Sequence, residues 1–512
     1  MRRVSWFVLA LLAACSKPED SSKQPASSAP PPQVKKPVDR TPLPPLAADP
    51  GGATGKPIWA VGFGGLGIDS PRGIAAGPDG ESYVVGTFDG EIDFGGTIGK
   101  RKAAGFAASP KPEKPDDTGK CKTNCSDAYV VKISNDGKLA WAHTFGDLRD
   151  DVANAVAVRG DRAVVVGSFL DKLTLGDFTK KSFGSDDAFV AAFDRGGEAK
   201  WIWNFGGVDS DGANAIAATP DGGWIVGGSF SDVAEFGKTP LKSKGGTDAM
   251  LLKLASTGDI EWVKQFGGTR DDTILGIVVD AQGSVYIQGQ FQNVSNWGGT
   301  EPLKAAGGSD TDIVLAKYDL NGDHVWSKGF GNSFNDAAGG LAIDPSGHVT
   351  MVGAIDKTVS FGPGDSHEGV EGDIFVARFA PSGKLEWAKT FGAEREDIGY
   401  GVASDSAGNT LVTGWFRGTV DFSKAKLTAK DTHNKDVFVM KLDKTGNVVW
   451  VQRAGDRDHD QGRAIAVDPS GAALITGIFR FSFDLVEPPL ESKHTDGDRV
   501  PKPDTFVLKL ER

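Results

Sequence analysis

Apolar and polar residues alternate along most of the chain, in short runs that end at turn residues. From residue 266 the sequence reads FGGTRDD, ILGIVVD, AQGS and VYIQGQF, then a long polar connection, then IVLAKYD, LNGD and HVWSKGFG. Alternation over such short runs predicts β-strands, and the Gly, Asn and Asp residues between them predict tight turns. Long apolar runs with a 3.6-residue period are missing. The pattern therefore predicts a nearly all-β chain of four-stranded antiparallel meanders, with strands A, B, C and D in order.

A short phrase, Gly-x-x-x-Trp, lies at the predicted C–D turn and returns seven times. Its tryptophans are Trp59, Trp141, Trp201, Trp262, Trp326, Trp387 and Trp450. After a first gap of 82 residues, successive copies are 60 to 64 residues apart. A period of this size indicates a repeat protein. The glycine is expected at a positive-φ turn position, and the tryptophan in strand D is expected to pack between neighbouring units.

The two ends of the repeat region are incomplete in complementary ways. The copy at Gly55 and Trp59 has no strands A to C before it, and the last unit has A, B and C but no D. A four-stranded meander is the blade of a β-propeller, and joining the two ends removes exposed sheet edges. The prediction is a seven-bladed β-propeller over residues 57–512, closed when the strand at 58–63 joins the last blade.

The repeat phrases are similar to those of a known family. GLAIDPSGHVTMVG (340–353) and DVFVMKLDKTGNVVW (436–450) resemble bacterial SBBP-type β-propeller repeats. The resemblance covers residues 57–512 and implies the propeller fold. It implies little about activity, because proteins that share this architecture differ in function.

Residues 1–14, MRRVSWFVLALLAA, have the basic start and apolar run of a signal peptide, too short to span a membrane. The following LAAC (12–15) resembles the lipobox of bacterial lipoproteins, which implies cleavage before Cys15 and acylation of that cysteine. The alternative is an ordinary signal peptide with a chance cysteine. In such lipoproteins an aspartate after the cysteine favours retention at the inner membrane. This chain has Ser16 there, so the resemblance implies export to the outer membrane. Residues 15–56, with ten prolines after the cysteine, predict a disordered tether.

The balance of charge limits the partners. Acidic residues outnumber basic ones, for a net charge of −12. Such a surface argues against binding nucleic acid. The expected partners are the lipid bilayer, through acylated Cys15, and a protein or glycan of unknown identity, with the propeller itself monomeric.

Two aspartates recur in every unit, and both are expected on the face formed by the D–A and B–C connections. One set, six residues after the start of the FGG phrase, is Asp69, Asp151, Asp211, Asp272, Asp336, Asp397 and Asp460. The other, just before strand C, is Asp127, Asp187, Asp248, Asp312, Asp373, Asp436 and Asp504. Their carboxylates suit either cation binding or acceptance of backbone N–H groups, and recurrence in every unit favours the structural role. Asp456, Asp458 and Asp460 are a weak calcium candidate without the glycine of an EF-hand loop.

One position near the start of strand A varies in chemistry from unit to unit. It is occupied by Arg72, Asn154, Asn214, Leu275, Gly339, Tyr400 and Arg463. On a uniform scaffold, variable polar residues near the channel mouth are where a ligand rim would be built. The first and last blades are neighbours, so Arg72 and Arg463 are expected to lie close together and to attract an anion. The alternative is a merely solvated rim.

The remaining motifs carry little chemistry. Cys121 and Cys125, in the insertion of the first unit, are candidates for a disulfide in an oxidising envelope. No catalytic or phosphate-binding motif is recognisable. The sequence therefore predicts a non-enzymatic, membrane-tethered interaction scaffold for a protein, glycan or envelope component. The alternative is a propeller enzyme acting on a small or sugar-like substrate at the channel mouth.

Overall fold

The computed structural model describes residues 55–104, 125–147, 149–308, 310–493 and 502–512. These residues form antiparallel sheets and contain no helix. In chain order the strands are β1 Pro57–Leu66, β2 Asp69–Ala76, β3 Ser82–Asp89, β4 Glu91–Asp93, β5 Lys100–Lys102, β6 Ser126–Ile133, β7 Leu139–Phe145, β8 Val152–Arg159, β9 Arg162–Phe169, β10 Lys172–Leu175, β11 Phe178–Lys181, β12 Asp187–Asp194, β13 Ala199–Gly207, β14 Gly212–Ala218, β15 Trp224–Phe236, β16 Thr239–Leu254, β17 Ile260–Gly268, β18 Asp272–Val279, β19 Val285–Gln292, β20 Val294–Asn296, β21 Leu303–Lys304, β22 Thr311–Tyr318, β23 His324–Phe330, β24 Ala337–Ile343, β25 Val349–Val359, β26 His367–Phe379, β27 Leu385–Phe391, β28 Ile398–Ser404, β29 Thr410–Phe416, β30 Thr419–Asp421, β31 Lys426–Thr428, β32 Asp436–Leu442, β33 Val448–Ala454, β34 Gln461–Val467, β35 Ala473–Phe479, β36 Ser482–Phe483, β37 Leu490–Glu491 and β38 Asp504–Leu510. The all-β prediction is confirmed.

The longer strands pair as four-stranded meanders, which we number as units in the order of their first strands. Units 1 to 7 are β2-β3-β6-β7, β8-β9-β12-β13, β14-β15-β16-β17, β18-β19-β22-β23, β24-β25-β26-β27, β28-β29-β32-β33 and β34-β35-β38-β1. In unit 7 the fourth strand comes from the other end of the sequence: Ala60 lies opposite Leu508 and Phe63 opposite Thr505. The strand expected at 58–63 is therefore paired as predicted.

The first strands of the units contact one another in sequence. β2 contacts β8, the contacts continue through β14, β18, β24 and β28 to β34, and β34 in turn contacts β2. The core lies in the seams between consecutive units. Val85 and Val130 of unit 1, for example, pack with Val165 and Phe189 of unit 2. Each unit thus buries its apolar faces only against its two neighbours, which is how repeat proteins are stabilised.

The repeated Gly-x-x-x-Trp phrase joins neighbouring units. Each indole ring packs on the glycine of the next phrase: Trp59 on Gly137, Trp141 on Gly197, Trp201 on Gly258, Trp262 on Gly322, Trp326 on Gly383, Trp387 on Gly446 and Trp450 on Gly55. A Cβ atom at Gly55 would lie 2.8 Å from the Trp450 ring. Several of these indoles also donate to a carbonyl of the next unit, as Trp59 does to Asn135 at 2.9 Å. The glycine is therefore needed for contact as well as for its turn.

The B–C connections are more ordered than the sequence suggested. Where the polar pattern predicted a loop, the chain forms a short hairpin, such as β4–β5 or β20–β21, or extends strands B and C, as in β15 and β16. The glycines of the FGG phrase pair with the hairpin of the following unit, for example Gly268 with Ser295. A Cβ at Gly268 would lie 1.9 Å from the Val294 carbonyl oxygen, so only glycine permits this backbone approach.

Candidate functional site

The D–A and B–C connections lie together, and we call the surface that they form the loop end. Its repeated aspartates are buried, and the strand-C aspartate of one unit lies beside the D–A aspartate that begins the next, as Asp187 of unit 2 lies beside Asp211 of unit 3. Around Gly206, a Cβ atom would lie 2.5 Å from Asp187 Oδ1 and 2.8 Å from Asp211 Oδ2. The predicted placement of both sets on one face is therefore what the structure has.

Hydrogen bonds give the first set of aspartates a structural role. Asp211 accepts the backbone N–H of Gly207 at 2.7 Å and that of Ser231 at 3.0 Å, which ties the D–A turn to the end of strand B. Asp397 does the same with Ala393 and Arg417. Burial, helped by the charge of Asp187 and opposed by the two backbone hydrogen bonds, raises the pKa of Asp211 to about 7. Two adjacent buried carboxylates at the junction of consecutive units favour a shared proton over two full charges.

The variable residues of the predicted rim share a backbone feature that the sequence did not reveal. In six of the seven first strands the register shifts at a single residue, as between Pro71 and Gly73 or between Gly462 and Ala464. The residue passed over is the variable one: Arg72, Asn154, Asn214, Leu275, Tyr400 or Arg463. In β24 the shift spans Gly339 and Gly340. A β-bulge re-aims its extra side chain without disturbing the ladder around it.

The rim residues differ in what they bind. Asn154 donates to the carbonyl of Ala213, and Asn214 donates to that of Ile274 at 3.1 Å. These two amides therefore link neighbouring first strands. Arg463 instead lies over the ring of Tyr400, with its guanidinium carbon 5.2 Å from the ring centroid. Among the rim residues, Arg463 thus combines a positive charge with contact to an aromatic face.

Arg72 and Arg463 are neighbours, as the sequence predicted. Although Arg72 keeps an exposed surface, desolvation by the surrounding protein and the positive charge of Arg463 both lower its pKa. Two more cations join them from unit 6. Arg417 follows β29 and Lys435 precedes β32, and the Lys435 ammonium lies 3.6 Å from the centre of the Trp415 ring. We call Arg72, Arg417, Lys435 and Arg463 the cationic cluster.

Sequence reasoning missed Arg417, Lys435 and Trp415, although a signal was present. The residue that follows strand B varies as strongly as the rim position: Asp89, Leu170, Ser231, Gln292, Asp356, Arg417 and Arg480. The residue that precedes the strand-C aspartate varies too, and is Lys435 only in unit 6. A comparison of the repeats at these two positions would have found a basic sector in units 6 and 7.

The weak calcium candidate has its carboxylates directed to separate partners. Asp460 accepts the N–H groups of Asp456 and Arg480, and Asp458 bonds the Arg480 guanidinium at 3.4 Å. Asp456 accepts from the Ser482 hydroxyl. In the described ranges no three His, Cys, Asp or Glu residues are grouped so as to hold a metal ion. Cys125 is buried, whereas Cys15 and Cys121 lie outside the described residues, so lipidation and the disulfide stay predictions.

The opposite surface, formed by the A–B and C–D turns, is the turn end, and several of its strand-C cations are buried against acids. Lys441 lies 3.0 Å from Asp405, and both side chains are almost fully buried. The same arrangement recurs in Arg378 with Asp344 and in Lys509 with Asp468, whereas buried Lys253 pairs with the more exposed Asp221. A cleft of 280 Å³ opens beside Asp344, His348 and Lys444, between units 5 and 6. These buried cations are thus neutralised within the protein.

Comparison with known proteins gives distant relatives. No family model matches the chain. The regulatory protein FlaEY of Caulobacter vibrioides is 24% identical over 480 residues, which cover 84% of this chain and 45% of the relative. An uncharacterised WD repeat-containing protein of Acanthamoeba polyphaga mimivirus is 20% identical over 529 residues, covering 82% of this chain and 36% of the relative. The chain spans less than half the length of either.

Similar solved structures include Sqt1 from Chaetomium thermophilum, with a TM-score of 0.40 at 13% identity over 90% of this chain and 100% of that one. An apocarotenoid oxygenase from Synechocystis has a TM-score of 0.39 at 11% identity, over 88% of this chain and 95% of that one. Both likenesses are too distant to bear on function. Within the described residues there is no helix with the length and apolar character needed to cross a bilayer.

Proposed function

We propose that units 1 to 7 are the blades of a closed β-propeller of the SBBP-repeat kind. The pairing of β1 with β38, the packing of Trp450 on Gly55 and the contact of β34 with β2 support closure. Deleting residues 57–63 would expose β38 as an edge strand and is expected to lower the melting temperature of the whole domain in one cooperative transition. A deletion variant that melts like the intact protein would contradict closure.

The function that fits best is an interaction scaffold tethered to the cell envelope. The observation that carries it is the combination of uniform units with variable loop-end residues, since loops on a rigid scaffold can change without disturbing packing. The names of the two relatives, a regulatory protein and a WD repeat-containing protein, agree with a role in binding. Catalysis has no comparable support, because no catalytic set was recognised in the sequence.

Cross-linking followed by affinity capture from the native envelope tests the scaffold. Deletion of residues 105–120 is expected to reduce partner capture with little change in melting temperature, because it shortens the B–C connection of unit 1 but keeps the β4–β5 hairpin and the buried Ala103. Alteration of the turn at 345–347 is the matched control at the turn end. Capture that survives the first change and is lost with the second would contradict a loop-end partner site.

Anchoring rests on the lipobox-like LAAC at 12–15. Acylated Cys15 is expected in the detergent phase, where mass spectrometry identifies it, and stable anchoring needs more than one acyl chain. The variant Cys15→Ala should partition into the aqueous phase. If it remains with the detergent, the lipoprotein proposal is wrong, and with it the assignment to the outer membrane.

A further inference from the structure

The cationic cluster concentrates positive charge in an acidic protein. Within the described residues, none of Arg72, Arg417, Lys435 and Arg463 forms an ion pair. They come from three consecutive units whose first strands, β28, β34 and β2, are in contact. Burial lowers the pKa of Lys435 to about 8, and the charges of Arg417 and Arg463 contribute. Like charges held this close repel one another unless something negative lies between them.

The acids that would ordinarily neutralise such a cluster are few. Glu396 faces Lys435, Asp397 lies near Arg417 and accepts its backbone N–H, and Asp458 is bonded to Arg480. Asp397 itself has a pKa raised to about 7, mainly by burial, so much of its charge is suppressed at neutral pH. The balance of formal charge around the cluster therefore stays positive.

At one repeated position, which is an aspartate in some other units, the unit beside the cluster has a histidine instead. In units 1, 3 and 4 the backbone N–H before the strand-C aspartate is accepted by the side chains of Asp150, Asp271 and Asn335. Beside the cluster the same bond is made by a ring nitrogen: the N–H of Lys435 donates to His459 Nδ1 at 3.3 Å. Because Nδ1 accepts this bond, the ring is neutral, and burial followed by the charges of Lys435, Arg417 and Arg480 lowers its pKa. The hydrogen bond is kept while a negative charge is lost.

Contacts with aromatic rings do not satisfy the cluster. Lys435 lies over Trp415, Arg417 lies 5.4 Å from the same ring centre, and Arg463 lies over Tyr400. A cation over a ring is stabilised through the ring face, but its N–H donors still need acceptors. The Nε atoms of Arg417 and Arg463 are buried and have no hydrogen-bond partner in the described part of the chain. These two donors are unsatisfied, and both side chains remain partly exposed, so a ligand can approach the rest of each guanidinium group.

We propose that the cationic cluster is a binding site for a small oxyanion that carries more than one negative charge, either a phosphate or a polycarboxylate. A guanidinium group can donate two parallel hydrogen bonds to two oxygens of either anion, and Lys435 adds a point charge. The bulges at Arg72 and Arg463 aim two of the four cations without breaking their ladders. The proposal deepens the scaffold function by naming the group that the loop end recognises.

Isothermal titration calorimetry with inorganic phosphate and with citrate tests the site, on the intact chain at pH 7.5 and at ionic strength held constant with sodium chloride. We expect saturable binding of at least one of the two anions, and the tighter one identifies the class. In the variant Arg417→Gln/Arg463→Gln the dissociation constant should rise by about tenfold or more. The control variant Lys172→Gln/Lys264→Gln removes the same charge elsewhere and should bind as the wild type does.

Melting temperatures separate loss of the site from loss of the fold. The Arg417→Gln/Arg463→Gln variant should melt at or above the wild-type temperature without added anion, because it relieves repulsion, and phosphate or citrate should no longer raise it. The proposal is overturned if neither anion binds the wild type, or if the control variant loses binding equally. Partner capture is a separate measurement: if the anion site fails while capture from the envelope persists, the scaffold proposal stands alone.

Discussion

The loop end and the turn end treat their ionic groups in opposite ways. At the turn end a cation on strand C is buried beside an aspartate of an A–B turn, as Lys441 is beside Asp405. At the loop end aspartates are paired with aspartates, and the four cations of the cationic cluster have no ion-pair partner among the described residues. The turn end is therefore built for stability, whereas the loop end carries charge that a ligand can satisfy.

The largest expected effect comes from breaking a pair at the turn end. Lys441→Met leaves the Asp405 carboxylate buried without its cation, which should lower the free energy of unfolding by about 3 to 5 kcal/mol. Chemical denaturation measures the loss. Lys264→Met, which removes an exposed partner of Asp323, is the control and should change stability by less than about 1 kcal/mol. Equal losses of unfolding free energy in the two variants would mean that burial does not determine how much an ion pair contributes to stability.

A glycine from each end gives the next comparison. At the turn end Gly322 has a φ of +76°, and an added Cβ would lie 2.9 Å from the Trp262 ring. At the loop end Gly308 has a φ of +74° with open space around the Cβ position. Gly322→Ala should cost about 3 kcal/mol from strain and overpacking, and Gly308→Ala about 1 kcal/mol from strain alone. Denaturant unfolding measures both losses in the free energy of unfolding. If they are similar, the indole contact is not a source of stability.

The two ends should also respond to pH with opposite signs. At the loop end burial raises the pKa of Asp211 and Asp272 to about 7, so the folded chain holds more protons than the unfolded chain between about pH 4 and 7. The free energy of unfolding should therefore fall as the pH rises through this window, by about 1.4 kcal/mol per pH unit for each proton retained. Denaturant unfolding from pH 5 to 8 measures the slope, and Asp211→Asn should flatten it.

At the turn end the sign is reversed. Burial alone would raise the pKa of Asp405, but hydrogen bonds from Asn409 and the Lys441 charge together lower it. Its stabilising contribution is therefore present above the unfolded-state pKa and is lost as the pH falls below about 4. A stability that increases from pH 5 to 8 would contradict the loop-end prediction, because the turn-end contribution changes only below about pH 4.

The smallest effect is expected from a single cation of the cluster. In phosphate-free buffer at low salt, Arg463→Gln should raise the free energy of unfolding by up to about 1 kcal/mol, because it relieves repulsion from Arg72 and Lys435. The gain should fade at about 1 M sodium chloride, where the Debye length falls to roughly 3 Å. Thermal unfolding at the two salt concentrations checks both statements. Destabilisation by this variant would show that Arg463 is already satisfied in the unliganded protein.

Much of the fold follows from local pattern. The alternation of apolar and polar residues predicted the strands, and the missing fourth strand of unit 7 predicted where β1 would pair. The B–C connections were predicted wrongly as loops, because the hairpins there are polar on their exposed faces and several owe part of their pairing to the FGG glycines of the preceding unit. These glycines lie about 30 residues before the hairpins with which they pair, so the local sequence pattern does not predict the pairing.

By itself the sequence determined the strand order, the period of the units, the pairing of the two incomplete ends and the closeness of Arg72 to Arg463, because each depends on repetition that can be read along the chain. The tertiary structure decided which repeated residues are engaged. It directed Asn154 and Asn214 to neighbouring backbones, buried Lys441 against Asp405, and brought Arg417 and Lys435 beside Arg463. These are contacts between side chains whose partners are distant in sequence, and the balance between pairing and repulsion is settled only when the units pack together.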